Sequence, residues 1–236
     1  MQCVILAGGL GTRLREETEF RPKPLVEIGG KPIIWHLIKY YSYFGVTDFI
    51  ICAGYKGEML KNFFDESRDL LNCNVNVVDT GELSNTGERL RRVKNLIEHE
   101  SFYCTYGDGL SDINLNELKK IHQEGNSIIT LSSARPYSRF GVLEFDSKNL
   151  VLKFREKPIM DSWINIGFFI FKNEIFQFIH ENSVLETDIL KPLAEINQVS
   201  GFKHNGFWQP MDTFREAQLL NEIWESGKAP WAKYII

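Results

Sequence analysis

The sequence contains no long apolar run and no basic leader. No hydrophobic segment approaches the roughly 18 residues that a transmembrane helix needs, and residues 1–9 (MQCVILAGG) lack the basic start of a signal peptide. The cysteines form no C-x-x-C pair, which argues against a disulfide framework or a metal site. Well-separated thiols are typical of proteins in a reducing compartment, so we expect a cytoplasmic protein. The four cysteines are Cys3, Cys52, Cys73 and Cys104.

An excess of positive charge is also lacking. The 236 residues include 27 Lys and Arg against 31 Asp and Glu, which gives a formal net charge of −4. A mildly acidic chain is a poor candidate for binding nucleic acid or a membrane surface. A phosphate-containing ligand would therefore have to be bound by a few local cations and by backbone amides.

Several common catalytic motifs are missing as well. The sequence has neither the G-x-S-x-G of serine hydrolases nor the H-E-x-x-H of zinc peptidases. Its first glycine-rich segment has Leu14 where a dinucleotide-binding fingerprint needs a third glycine, and Arg13 where a Walker loop needs one. These departures argue against a nicotinamide dehydrogenase and a P-loop kinase.

Strand and helix patterns alternate through the first half of the chain. This alternation predicts an α/β fold with a Rossmann-like, mostly parallel, doubly wound sheet, whose ligands lie at the carboxyl ends of the strands. The predicted strands are 2–7, 48–53, 74–79, 101–106 and 127–133, and the predicted helices are 31–44, 57–64, 87–98 and 114–124.

The second half is richer in strands and predicts a small additional β part that extends the sheet and covers the ligand cleft. No linker, repeat or low-complexity tract divides the sequence, so we expect one domain over residues 1–236. The predicted strands are 141–145, 150–154 and 167–172, and the predicted helices are 173–181, 185–195 and 212–226.

A glycine-rich turn follows the first predicted strand, in residues 8–13 (GGLGTR). Glycine lets the backbone approach a ligand closely, and amides at a strand end form a concavity that binds anions. Arg13 adds a fork of donors that matches phosphate oxygens. Lys23 stands between two prolines on a stiff, extended segment. Taken singly, Arg13 and Lys23 are equally consistent with surface side chains in loops.

These elements occur together as G-G-x-G-T-R-L followed closely by P-K-P, and this combination resembles the signature of the sugar-phosphate nucleotidyltransferases. Four further segments make the sequence most similar to the cytidylyltransferases of that family, from residue 2 to Trp231. They are 27–32 (EIGGKP), 52–57 (CAGYKG), 106–109 (YGDG) and 206–213 (GFWQPMDT). The resemblance implies a nucleotidyltransferase fold of the glycosyltransferase-A type.

The resemblance also implies a set of nucleotide-binding residues, among which Arg13 and Lys23 are catalytic. The resemblance places Thr86, Gly87 and Arg89 at the nucleobase, although Thr86, considered alone, is equally consistent with capping of the helix that follows it. The nucleotide-binding residues implied are Leu6, Ala7, Gly8, Gly9, Gly11, Thr12, Arg13, Lys23, Thr86, Gly87 and Arg89.

Two aspartates, Asp108 and Asp212, correspond to the metal-binding positions of the family. Mg²⁺ prefers hard oxygen ligands, typically one or two carboxylates together with phosphate oxygens and water. Each aspartate alone is also consistent with a turn residue, and Asp212 with the N-cap of the predicted helix 212–226. The acceptor-binding residues implied by the resemblance are Tyr106, Gly141, Glu156, Lys157, Asn165 and Gly167.

The implied reaction is Mg²⁺-assisted transfer of CMP from CTP to a sugar 1-phosphate, with glucose 1-phosphate as acceptor and CDP-glucose and pyrophosphate as products. The resemblance further implies a homo-oligomer, and nothing implies a nucleic-acid or membrane partner. Two alternatives stay open: the same chemistry with another nucleotide or phosphorylated acceptor, and a catalytically silent nucleotide-binding homologue.

The sequence departs from the family pattern at two places. Residues 165–169 read NIGFF instead of NGGFF, so Ile166 adds a side chain beside the expected acceptor pocket. The segment 64–75 is shorter than in the cytidylyltransferases, where it contributes to subunit contacts. Candidate surfaces for an oligomer are Phe63-Phe64 and the aromatic tail from Trp224 to Trp231, although aromatic residues are more often buried in a core.

Overall fold

The computed structural model describes residues 1–67 and 71–235. Its strands are Cys3–Leu6 (β1), Glu27–Ile28 (β2), Lys31–Pro32 (β3), Asp48–Ala53 (β4), Asn74–Asp79 (β5), Ser101–Tyr106 (β6), Gly109–Ser111 (β7), Ile129–Ala134 (β8), Val142–Phe145 (β9), Val151–Arg155 (β10), Ile164–Lys172 (β11), Val199–Lys203 (β12) and Trp208–Pro210 (β13).

The α-helices are Arg15–Thr18 (α1), Ile33–Tyr43 (α2), Gly57–Glu66 (α3), Thr86–Val93 (α4), Leu115–Glu124 (α5), Lys191–Glu195 (α6) and Phe214–Glu225 (α7). A π-helical segment, Leu185–Leu190, leads into α6. Short 3₁₀ turns occur at Thr12–Leu14, Lys23–Leu25, Lys94–Leu96, Asn173–Gln177 and Ala232–Tyr234.

Seven strands form the central sheet, in the order β12-β8-β11-β6-β1-β4-β5. Neighbours are parallel except at β11, which runs antiparallel to both β6 and β8. One hydrophobic core lies on the sheet face that carries α2, and a second lies on the face that carries α4. The mostly parallel, doubly wound sheet predicted from the sequence is therefore confirmed, and β8, β11 and β12 extend it as expected.

Local patterns located most elements well. The predicted strands 48–53, 74–79 and 101–106 coincide with β4, β5 and β6. Strand β11 begins at Ile164 instead of 167, because a β-bulge between Asn165 and Phe169 carries the strand through Gly167, which has a φ of 82°. The predicted helix 173–181 was wrong in extent, since only a 3₁₀ turn forms there.

The surfaces expected to form an oligomer are largely used by the protein's own core. Phe64 and Trp231 are buried, and Phe63 and Trp224 pack partly against the same core. Trp231 stacks on both Phe207 and Trp224, so the C-terminal tail is anchored by aromatic contacts. The expectation for these surfaces was therefore wrong, because burying the rings within the chain removes them from contact with a partner.

Three further expectations concern the rest of the chain. The thiols of Cys3, Cys52 and Cys104 are free and buried, as predicted, and Cys73 is half-buried. Of the shortened segment 64–75, residues 68–70 lie outside the described part. Over residues 1–67 and 71–235, no helix has both the length and the apolar character needed to cross a membrane.

A buried histidine predicts that acid destabilises the fold. His36 is fully buried, its Nε2 donates to the carbonyl of Ile28 at 2.8 Å, and its Nδ1 accepts from Nε1 of Trp231 at 3.3 Å. Burial lowers its pKa to about 4. The unfolded chain therefore binds a proton below about pH 6.5 that the folded state does not, and the free energy of unfolding falls as the pH drops from about 6.5 towards 4.

For His36 we expect the free energy of unfolding to fall by about 2 kcal/mol between pH 7 and pH 5, and by about 3 kcal/mol at the limit below pH 4. Urea unfolding at pH 7 and pH 5 measures the first of these values. His122 acts in the same direction, since burial lowers its pKa to about 4 as well. In His36→Gln the decrease in the free energy of unfolding between pH 7 and pH 5 should be smaller than in the wild type. The exposed His180 provides the control for the substitution itself, because His180→Gln removes no buried side chain.

Candidate active site

Two cavities meet at the carboxyl ends of β1 and β6. The smaller cavity, of about 410 Å³, lies along the glycine-rich turn and the N-terminus of α4. The larger cavity, of about 1230 Å³, lies between the segment 136–140, the start of β11 and the helix α7. Four residues line both cavities, and the boundary between two ligands bound side by side would lie there. They are Arg13, Tyr106, Asp108 and Asp212.

Four charged side chains converge at this boundary. The Nζ atom of Lys23 lies 2.6 Å from Oδ2 of Asp108 and 2.7 Å from Oδ1 of Asp212. Nη2 of Arg13 lies 2.9 Å from the same Oδ1 of Asp212. Burial alone would lower the pKa of Lys23, but the two carboxylates outweigh it and raise that pKa above its usual value. Lys23 is therefore a permanent cation at neutral pH.

Strand pairing brings the two aspartates together. Asp108 immediately precedes β7 and Asp212 lies two residues after β13, and β7 pairs with β13 so that Gly109 lies opposite Pro210. Met211 also donates its amide to the carbonyl of Asp108 at 2.8 Å. The two carboxylates are thus neighbours although more than one hundred residues separate them in the sequence.

The interpretation of Asp212 as a helix cap was wrong. Thr213 is the N-cap of α7 and forms a capping box with Glu216, whose Oε2 also accepts from the amide of Asp212 at 2.8 Å. Because Thr213 supplies the capping oxygen, the carboxylate of Asp212 is left to face Lys23.

Asp108 and Asp212 suit a divalent cation. One oxygen of each carboxylate already contacts the same ammonium group, that of Lys23, so the two are close enough to share a cation. Among the residues that the structure describes, no group of three or more His, Cys, Asp and Glu side chains could hold a metal by itself. Two carboxylates alone fit Mg²⁺, which usually takes its remaining ligands from phosphates and water.

Arg89 holds the glycine-rich turn in place through hydrogen bonds. Its side chain is buried, and Nη2 donates to the carbonyls of Gly8 and Glu82 at 2.9 and 3.1 Å. Nη1 donates to the Ala53 carbonyl, the Thr80 hydroxyl and the Gly81 carbonyl, at 3.1, 2.8 and 2.9 Å. The terminal nitrogens of the guanidinium thus donate to acceptors of the protein itself. The sequence analysis had instead predicted a contact between Arg89 and the nucleobase. Arg89 lines the smaller cavity as a support for its floor.

Of the other two residues predicted to contact the base, one lines the smaller cavity and one does not. Thr86 lines the smaller cavity, and the sequence-based alternative of a capping role does not hold, because Asn85 is the N-cap of α4. Gly87 does not line the cavity. It packs against the segment at Ser183, whose carbonyl would lie 2.7 Å from a Cβ at this position. The other residues predicted to bind the nucleotide all line the smaller cavity: Leu6, Ala7, Gly8, Gly9, Gly11, Thr12, Arg13 and Lys23.

The residues predicted on the acceptor side also divide into two groups. Tyr106, Lys157 and Asn165 line the larger cavity. Gly167 is covered by the ring of Tyr106, from which a Cβ there would be only 2.2 Å away. Gly141 and Glu156 lie outside the cavity wall, next to each other. Glu156 is exposed and contacts Lys157 at 3.8 Å.

Ile166, the departure from the family pattern, belongs to the core. Its side chain is 4% exposed and packs in the cluster on the α2 face, with only an edge at the larger cavity. Most of the Ile166 side chain therefore lies in the hydrophobic core and not in the cavity.

Sequence reasoning missed two polar groups of the cavities. Glu186 lines the smaller cavity from the π-helical segment, and no local pattern distinguishes it from a surface glutamate. Trp208 lines the larger cavity, and its Nε1 is buried without a hydrogen-bond partner among the described residues. The motif 206–213 contained Trp208, and its unpaired donor is visible only in the folded protein.

The close approach of Arg89 makes Gly8 irreplaceable. A Cβ at Gly8 would lie 2.0 Å from Nη1 of Arg89, and the guanidinium cannot retreat without breaking its hydrogen bonds. We therefore expect Gly8→Ala to lower the free energy of unfolding by about 2 kcal/mol. Gly9→Ala is the matched control, because a Cβ there meets no atom within 4 Å. Urea unfolding without ligand should separate the two variants, and equal stabilities would contradict the packing argument.

Comparison with known proteins agrees with the fold and the site. The family model for nucleotidyl transferases matches residues 2–215. The chain is 43% identical over 254 aligned positions to a glucose-1-phosphate cytidylyltransferase from Salmonella typhi, covering 98% of both chains. It is 36% identical to a probable glucose-1-phosphate cytidylyltransferase from Bacillus subtilis, covering 98% of this chain and 99% of the relative.

The fold is shared with solved structures of low sequence identity. A putative glucose-1-phosphate thymidylyltransferase from Bacillus anthracis superposes with a TM-score of 0.75 at 20% identity, over 94% of each chain. That likeness concerns the fold alone, whereas the sequence matches extend over the glycine-rich turn, Lys23 and both aspartates. The chain therefore belongs to the nucleotidyl transferase family.

Proposed function

We propose that the protein transfers CMP from CTP to a sugar 1-phosphate, with glucose 1-phosphate as the preferred acceptor. The main support is the boundary shared by the two cavities, where Arg13, Asp108 and Asp212 would face the α-phosphate of one ligand and the phosphate of the other. The activity in the names of the two sequence relatives supports the choice of CTP and glucose 1-phosphate.

The reaction is an in-line displacement at the α-phosphorus. An oxygen of the acceptor phosphate forms a bond to that phosphorus, the bond to the oxygen bridging the β-phosphate breaks, and the electron pair leaves with pyrophosphate. A phosphate monoester dianion is already a nucleophile, so no general base is needed. Lys157, at the wall of the larger cavity, holds the acceptor phosphate. Positioning and electrostatic stabilisation supply the rate enhancement.

The cations at the boundary supply that stabilisation. Arg13 and Lys23 lie where negative charge develops on the α-phosphate and on the departing pyrophosphate. Mg²⁺ held by Asp108 and Asp212 would offset the charge of the triphosphate. Arg89 acts indirectly, because its hydrogen bond to the Gly8 carbonyl keeps the turn in the shape that receives the phosphates.

Pyrophosphate release, measured with four nucleoside triphosphates and a panel of sugar phosphates, tests this proposal. We expect the highest kcat/KM for CTP with glucose 1-phosphate. A higher value with another pair would reassign the substrates and keep the chemistry. Binding of CTP without turnover on any acceptor would identify a catalytically silent homologue instead.

We also propose that the protein forms a homo-oligomer. The β9–β10 ribbon is exposed on both faces and presents Phe145, Leu152 and Phe154 to solvent. An isolated two-stranded ribbon is marginally stable in water, and several large apolar side chains exposed on one such ribbon are typical of a protein interface. A second copy of the chain would cover it. Light scattering tests the proposal, since Leu152→Lys should lower the assembly mass.

A further inference from the structure

One carboxylate in the smaller cavity has no part in the chemistry described above. Glu186 lies in the π-helical segment Leu185–Leu190, and such segments occur often at functional sites. Its Oε1 accepts from the hydroxyl of Tyr106, and its Oε2 accepts from Oγ1 of Thr86 at 3.0 Å. The amide of Leu185 donates to the same Oγ1 at 2.8 Å. The carboxylate is therefore held in one orientation at the cavity wall.

The charge of Glu186 is not neutralised by a neighbouring cation. Within residues 1–67 and 71–235, no ion pair includes Glu186. The cations that line the same cavity contact other groups. Arg13 and Lys23 form ion pairs with the aspartates at the boundary, and Arg89 donates to backbone carbonyls. An anionic triphosphate would be repelled by this carboxylate, so its ligand must be a different part of the nucleotide.

The chemistry of a carboxylate limits what that part is. An ionised carboxylate only accepts hydrogen bonds, and each oxygen keeps a lone pair beyond the one used by Tyr106 or Thr86. The phenol of Tyr106 donates its hydrogen to Oε1 of Glu186. The two donors hold the carboxylate at the cavity wall, where its unused lone pairs are available to a ligand. A group that presents hydrogens is accepted there, and a carbonyl oxygen is repelled.

We propose that Glu186 selects the nucleobase by accepting a hydrogen bond from the 4-amino group of cytosine. This inference rests on the proposed function and names the residue that distinguishes CTP from UTP. Uracil has the same size but carries a carbonyl oxygen at position 4, which would face the carboxylate as a second acceptor. Placement fits, because Glu186 lines the smaller cavity with Ser84, Asn85 and Thr86 and does not line the larger one.

The test compares kcat/KM for CTP, UTP and dCTP in the wild type and in Glu186→Gln. The amide keeps the shape of the side chain and offers hydrogens to the uracil oxygen. We expect the ratio of kcat/KM for CTP over UTP to fall by about tenfold or more. Glu82→Gln is the matched control, since Glu82 is an exposed carboxylate on the neighbouring loop, and its ratio should not change.

Tyr106→Phe provides a second variant. It removes one of the donors that orient Glu186 but keeps the carboxylate and the aromatic ring, so the CTP over UTP ratio should fall by less than in Glu186→Gln. The same comparison can be made by calorimetric titration with CTP and UTP, which does not depend on turnover.

Three outcomes would overturn the proposal. An unchanged CTP over UTP ratio in Glu186→Gln, with both substrates weakened equally, would mean that Glu186 only maintains the structure. A change confined to CTP over dCTP would assign the carboxylate to the ribose hydroxyl. Equal binding of CTP and UTP by the wild type would leave no selection to explain. Failure of the proposed function is distinguishable, because the wild type would then release no pyrophosphate while calorimetry still reports base preference.

Discussion

Replacing Lys23 by methionine is expected to lower kcat/KM for pyrophosphate release by about 1,000-fold. The side chain is 12% exposed and its ammonium contacts both Asp108 and Asp212, at the boundary where the phosphates of two substrates would meet. Methionine keeps the length and apolar stem of lysine but removes the charge that stabilises the displaced pyrophosphate. Lys61→Met, at an exposed position of α3, is the control and should retain full activity.

A second measurement separates the role of the charge from damage to the fold. In Lys23→Met the carboxylates of Asp108 and Asp212 face each other without the ammonium between them, so Mg²⁺ should raise the melting temperature of the variant more than that of the wild type. Circular dichroism should show an intact fold. Near-normal turnover in a folded Lys23→Met protein would refute the assignment of Lys23 as a catalytic residue.

Replacing Arg89 by methionine is expected to destabilise the protein by about 3 kcal/mol and to raise KM for CTP. The side chain is 4% exposed and donates five hydrogen bonds, which join the glycine-rich turn, the end of β4 and the loop before α4. Without the guanidinium, buried carbonyls of three chain segments lose their partner. Urea unfolding measures the first effect and initial rates at varied CTP measure the second.

The exposed Arg15 supplies the control for this variant. Arg15→Met should change neither the stability nor KM, because the side chain lies at the surface in α1. An Arg89→Met protein with wild-type stability and a greatly weakened affinity for CTP would contradict the supporting role. That result would favour the direct base contact inferred from the sequence.

The parts of the site that were predictable share a local cause. The glycines of segment 8–13 follow a short apolar strand, and Lys23 stands between two prolines. Lys23 begins the 3₁₀ turn Lys23–Leu25, so the extended conformation expected for this residue was wrong, although its position next to the glycine-rich turn was indicated. Asp108 ends a strand that apolar residues mark out over 101–106. In each case the local sequence sets the conformation of the backbone. The order of the amino acids therefore indicates where the candidate ligand-binding groups lie along the chain.

Other parts of the site depend on residues that are distant in the sequence. Lys23 and Asp212 are 189 positions apart, and only the pairing of β7 with β13 places Asp212 beside Asp108. The resemblance to the family predicted that Lys23, Asp108 and Asp212 belong to one site, whereas their spacing along the chain indicated no such relation. Arg89 looked like a ligand-binding cation because its acceptors, at positions 8, 53 and 80–82, come together only in the folded chain.

The sequence by itself determined the class of fold, the position of the glycine-rich turn, and three cations that line the cavities of this acidic chain, Arg13, Lys23 and Lys157. Tertiary structure alone decided that Thr213 caps α7 in place of Asp212, that Arg89 supports the turn, and that Glu186 faces the smaller cavity. The physical reason is the range of the interactions. Backbone conformation is set by adjacent residues, but a buried polar side chain takes its role from the donors and acceptors that folding brings to it.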